Sequence, residues 1–66
     1  MTARKKVARA EAKNKEGMTF FENWDLNEAV AAFKEATELS PETAEYYLNL
    51  ARAYARSGEF DQAMSA

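Results

Sequence analysis

The residues able to do chemistry are few, and their spacing limits what they can do. Glu35 and Glu38 stand three apart, close enough on a helix to work as a carboxylate pair. Arg52 and Arg56 stand four apart and face the same way, which suits a carboxylate on a partner. Arg4, Lys5, Lys6 and Arg9 form a basic cluster with no acid among them. Histidine is absent, which removes the usual general base near neutral pH and the commonest metal ligand. Cysteine is absent too, so there is no thiolate nucleophile, disulfide framework or cysteine metal site. No carboxylate cluster has the spacing of a Ca²⁺ loop. A hydrolase built on Glu35 and Glu38 lacks a pocket, a base and an oxyanion feature. The expectation is a non-enzymatic chain with no metal, no cofactor and no small-molecule substrate.

The elements that must position these residues come from a short chain. It has 66 residues and a mass of 7.4 kDa. A compact monomer of that mass has a surface of roughly 4,200 Å², against roughly 10,700 Å² unfolded, which is the marginal regime for a core. Of the 47% hydrophobic residues nearly half are alanine, so few large side chains hold the core. No apolar run approaches the ~18 residues of a membrane span, and no apolar stretch follows the charged start as in a signal peptide. The lack of cysteine fits a reducing compartment, so a cytoplasmic location is expected.

Charge is segregated. Residues 1–9 carry +4, and residues 10–66 carry five basic against eleven acidic groups. A basic arm on an acidic body can contact nucleic acid or an anionic membrane. Without aromatic residues interleaved among the bases, a solvated helix start is the favoured reading.

Apolar spacing is helical throughout, and β-branched strand formers are scarce. Val30, Phe33, Ala36 and Thr37 share one stripe, with Lys34, Glu35 and Glu38 opposite. Tyr47, Leu50 and Tyr54 share another. Breaks fall at 22–25, with Asn23 as the left-handed turn residue, at Ser40-Pro41-Glu42 with Ser40 as cap, and at Ser57-Gly58-Glu59. These predict helices over 3–22, 26–39, 42–56 and 60–66, packed antiparallel. The basic arm is expected to be helical and continuous with the first of them, because nothing between Ala3 and Glu22 breaks a helix except Gly17.

The chain also repeats itself: the shift that carries Ala10 onto Ala44 aligns 10–32 with 44–66. It pairs Ala10 with Ala44, Glu11 with Glu45, Ala29 with Ala63 and Ala32 with Ala66 as identities. It also pairs Gly17 with Ala51, Phe20 with Tyr54, Leu26 with Phe60 and Val30 with Met64. The small residues fall where two helices must approach closely.

A helix–turn–helix period of this length with these positions resembles the tetratricopeptide repeat. The residues carrying the resemblance are Gly17, Phe20, Ala29, Phe33, Ala36 and Pro41 in the first unit. In the second they are Tyr47, Leu50, Ala51, Tyr54 and Ala63. Lys13 and Glu16 depart from the pattern, as does Trp24, which takes the place of a turn glycine. The division is a basic helical extension over 1–9, a first repeat over 10–43 and a truncated second repeat over 44–66. The resemblance implies an all-α right-handed superhelical array of antiparallel helix–turn–helix repeats, here three full helices and a short fourth, cut from a longer repeat protein.

It further implies a protein-interaction scaffold that binds a peptide or partner helix on a concave face lined by the first helix of each repeat. The residues there are Asn14, Met18 and Phe21, then Asn49, Arg52 and Arg56. Met18 and Phe21 offer an apolar patch and the arginines a cationic one. The competing reading packs Met18 and Phe21 inward and pairs the arginines with Glu45 or Glu59. A carboxylate clamp for chaperone tails is rejected: Asn49 matches it, but Asn14 and Met18 replace its lysine and first asparagine. The incomplete second repeat leaves Tyr47, Leu50 and Tyr54 partly uncovered, so homodimerisation through the C-terminal end is expected.

Overall fold

The computed structural model describes the backbone of residues 2–65, and the side chains of residues 4–62 and of Met64. It contains three helices: α1 (Thr2–Glu22), α2 (Leu26–Leu39) and α3 (Ala44–Ser65). The chain is all-α among the described residues, as the helical spacing predicts. Helix α2 packs against both neighbours and forms the middle of the three.

Two small clusters form the core. Ala10, Ala36 and Tyr46 meet near the α2–α3 turn, with Leu39 beside them. Ala29, Phe33 and Ala53 meet nearer the α1–α2 turn, flanked by Phe20, Phe21, Val30 and Leu50. Phe33 is the one large side chain in the described core that is fully enclosed. Its ring lies on Gly17, where an added Cβ would sit 2.5 Å from the Cε1 atom. The glycine therefore sets how closely α1 and α2 approach. Tyr46 rather than Tyr47 faces inward: Tyr46 is 6% exposed and Tyr47 47%.

The α1–α2 turn is made by Trp24, not Asn23. Trp24 has φ 64°, the left-handed region that a side chain normally disfavours. The Asp25 amide donates to the Phe20 carbonyl at 2.8 Å and the Trp24 amide to Phe21 at 3.2 Å. This bond pair is the Schellman arrangement, which needs the left-handed residue at that position, and its hydrogen bonds hold Trp24 there. Asp25 then accepts from the Ala29 amide at 2.9 Å, so one residue closes α1 and the next opens α2.

At the second turn the Thr43 amide donates to the Ser40 carbonyl at 3.2 Å, and the Ser40 and Thr43 hydroxyls lie 2.7 Å apart. Ser40 stays extended before proline, as expected, but α3 begins at Ala44 rather than at residue 42. Pro41 and Glu42 are used up in the turn.

The larger correction concerns the fourth helix. The predicted break at Ser57-Gly58-Glu59 does not occur, and α3 runs through it to Ser65. Gly58 has no positive φ, and an added Cβ there meets nothing within 4 Å. Carrying glycine in a helix costs about 1 kcal/mol. Turning back would forfeit successive backbone hydrogen bonds for a helix of about two turns, too short to stand by itself. Its larger apolar side chains within the described set are Phe60 and Met64, too few to repay that loss. Ala51, expected at a close helix contact, is consequently exposed. The expected match of Ala63 lies outside the described side chains.

The result is long and staggered. The molecule measures 50 × 18 × 12 Å, whereas α3 by itself spans about 33 Å. The N-terminal turns of α1 extend past the α2–α3 turn, and the C-terminal turns of α3 extend past the α1–α2 turn. The basic cluster lies in the first of these extensions, helical and exposed.

Candidate functional site

The six residues expected on the concave face come together on the face shared by α1 and α3. Asn49 is buried and donates from Nδ2 to Oδ1 of Asn14 at 2.8 Å. That bond ties α3 to α1 and occupies the Asn14 side-chain oxygen. Met18, Phe21, Asn49 and Arg52 line a small cleft with Phe33 at its floor. Its volume is about 40 Å³, room for the tip of one aliphatic side chain. Phe21 and Arg52 continue into a wider hollow of about 400 Å³, completed by Ala55, Arg56 and Glu59.

The arginines do not pair with Glu45 or Glu59. Among the described residues the ion pairs are those of Lys13, to Glu16 at 3.5 Å and to Glu35 at 3.3 Å. Arg56 lies instead against two rings, its guanidinium carbon 4.3 Å from the Phe21 centroid and 4.6 Å from that of Trp24. A guanidinium stacked between aromatic faces gains cation–π attraction while its edge donors stay free. Arg56 thereby pins α3 to the end of α1 and to its turn. Arg52 is exposed on the rim between cleft and hollow. Met18 is 42% exposed, while Phe21 is half-buried, so the apolar patch is partly spent on packing.

Phe33 belongs to this face and Trp24 borders it through Arg56, and neither was legible as such. Phe33 reads as core, which it also is. Trp24 reads as a flaw in the turn, and its contact with Arg56 joins residues far apart in the chain, beyond any local spacing signal. Glu35, half of the carboxylate pair, is held by Lys13; the hydrogen bond to Glu35, with the two nearby carboxylates, raises the Lys13 pKa. Among the described residues no group of histidine, cysteine or carboxylate side chains could hold a metal ion.

The family model for the TPR repeat matches residues 17–64, almost three quarters of the chain. The chain belongs to the tetratricopeptide-repeat family. The matched span opens at Gly17, the residue under Phe33, and takes in the whole α1–α3 face from Met18 onward. No curated protein and no solved structure matches the chain. TPR repeats generally mediate protein–protein interaction, and the family is of a scaffold kind rather than an enzymatic one. No helix of this TPR chain is long and apolar enough to cross a membrane.

Proposed function

We propose that this TPR chain is a non-catalytic interaction module that docks an extended protein segment along the α1–α3 face. The preferred segment places an apolar side chain in the Met18–Phe21–Phe33 cleft and a carboxylate on Arg52. The observation that carries the reading is Arg52 itself: an exposed guanidinium on the lip of an apolar cleft, without a carboxylate partner among the described residues. Asn14 and Asn49 act as the strut that fixes the spacing of α1 and α3 beneath it. The absence of cysteine suits action in a reducing compartment, the cytoplasm.

The test is a peptide array in which each member carries one aliphatic or aromatic residue and a nearby Asp or Glu. Binding is followed by the fluorescence of Trp24, the only tryptophan. Arg52→Ala should weaken binding at least tenfold with the helical spectrum unchanged, and Met18→Ala should weaken it severalfold. Binders indifferent to both substitutions would remove the assignment.

The alternative, nucleic-acid or anionic-membrane contact by the start of α1, is favoured by the exposure of Arg4, Lys5, Lys6 and Arg9. Salt separates the two. Four phosphate contacts give a log–log slope of roughly −3 to −4, whereas docking in the cleft depends far less on salt. Self-association belongs to the leading reading as well, since Tyr47, Leu48 and Tyr54 are about half exposed along α3.

A further inference from the structure

We infer that the hollow between the α1–α2 turn and the last turns of α3 receives an arginine side chain from a basic segment of a partner protein. The site lies apart from the α1–α3 face, since it shares no lining residue with the cleft or the wider hollow there.

Trp24, Leu26 and Asn27 line it from the turn and the start of α2, and Ser57, Phe60 and Asp61 from α3. The three on α3 stand at i, i+3 and i+4, so they form one helical face directed at the turn. The hollow depends on the unbroken course of α3 past Gly58, because a turn there would carry Phe60 and Asp61 away. Its volume is about 130 Å³, space for the planar end of one side chain. Leu26 is buried, whereas Trp24 and Phe60 remain 55% and 47% exposed.

Two open aromatic rings beside a carboxylate suit a cation. The ring faces attract it, that of tryptophan most strongly. Asp61 is exposed and has no ion-pair partner among the described residues. Asn27 and Ser57 add an amide oxygen and a hydroxyl, both able to accept hydrogen bonds. A metal ion does not fit, because no group of ligating side chains gathers among the described residues. A guanidinium does: it lies flat on a ring and directs its edge donors to a carboxylate. Trp24 already holds one in this manner, with Arg56 4.6 Å from its ring centroid. Arg56 does not line this hollow; it lines the one on the α1–α3 face, with Glu59.

Trp24 is also a costly residue for the fold. Glycine would close the same turn at φ 64° without penalty, and the core does not repay a ring left half in water. Such strained positions gather at ligand clamps. Charge complementarity selects the partner. Residues 22–28 and 57–65 carry Glu22, Asp25, Glu28, Glu59 and Asp61 and no base, so Arg56 faces five carboxylates at this end of the molecule. A basic segment is drawn there, the more so at low salt, and an acidic one is repelled.

The probe is the acetylated and amidated pentapeptide Gly-Arg-Leu-Arg-Gly, set against its citrulline counterpart, which keeps the shape and loses the charge. Binding to the full chain is followed by ¹⁵N NMR through the indole N–H of Trp24, the only tryptophan, and the side-chain amide of Asn27. The arginine peptide should shift both signals saturably, and the citrulline peptide should bind at least tenfold more weakly. Asp61→Asn, at an exposed position, should weaken the arginine peptide at least fivefold with helicity unchanged. Trp24→Gly should keep the helical spectrum, because glycine suits the turn, and lose binding as read from Asn27. Equal binding of the two peptides, or indifference to Asp61→Asn, overturns the proposal. Shifts confined to Met18 and Arg52 give the peptide to the α1–α3 face and overturn this site alone. Shifts of Trp24 that appear on concentrating the chain by itself, and vanish when Arg4→Gln and Arg9→Gln are combined, give the hollow to a second copy and overturn the assignment to a partner protein.

Discussion

At the scale of single residues, the fold turns on Gly17. Phe33 is enclosed because its ring has the glycine backbone as its floor. Even Gly17→Ala puts a methyl group into a ring that has nowhere to move. We expect a loss of about 1–3 kcal/mol, measured by denaturant unfolding, and a larger loss for Gly17→Leu. Phe33→Leu should recover part of the loss in the alanine background, a coupling that a purely local helix effect would not produce. Tyr46 gives a second prediction. Burial pushes its phenol above the ordinary value, and the carboxylates of Glu11 and Glu45 add to the rise. The Lys13 ammonium is raised as well, by its hydrogen bond to Glu35 first. For both groups the unfolded chain gives up its proton at lower pH than the folded one. Stability is therefore whole below about pH 10 and is lost as the pH climbs through the folded values. Melting temperatures should be flat from pH 7 to 9 and fall above 10, with Tyr46→Phe flattening the alkaline fall. An equally steep fall in that variant would move the effect elsewhere.

At the scale of elements, α3 is the decisive one. The sequence marks a glycine turn at Gly58, and the structure passes a helix through it. Gly58→Ala discriminates between the two. In a continuous helix with open space around that Cβ, alanine should stabilise by about 1 kcal/mol and raise helical ellipticity. At a left-handed turn it would destabilise instead. The α1–α2 turn shows the opposite case. There the hydrogen bonds of the turn are kept although Trp24 must adopt φ 64° to make them, and Arg56 covers the exposed ring. A turn survives an unsuitable residue when the helix after it has a core to join, as α2 has. It fails with a suitable glycine when the helix after it has none.

At the scale of the whole molecule, that failure sets the shape. The radius of gyration is 12.7 Å, against about 11 Å for a compact chain of this length. Small-angle scattering at low concentration should return a value near 12.7 Å and an elongated distance distribution reaching about 50 Å. A radius at the compact value would mean that the tail of α3 folds back after all.

The sequence by itself determined the first two helices, the all-α class and the family. Those depend on local periodicity and on small residues such as Gly17 and Ala29, whose spacing records where helices touch. It also grouped Met18, Phe21, Arg52 and Arg56, because the repeat frame carries side-chain direction from one helix to the next. Only the tertiary structure decided which tyrosine of the Tyr46-Tyr47 pair faces inward, that Trp24 makes the turn, and that Arg56 stacks on rings instead of pairing with an acid. It alone decided that α3 does not break at Gly58. Each of these is a balance between a local preference and contacts among residues distant in the chain. A backbone preference worth about 1 kcal/mol is readable in sequence, and it yields wherever packing supplies more, or withholds what the turn requires.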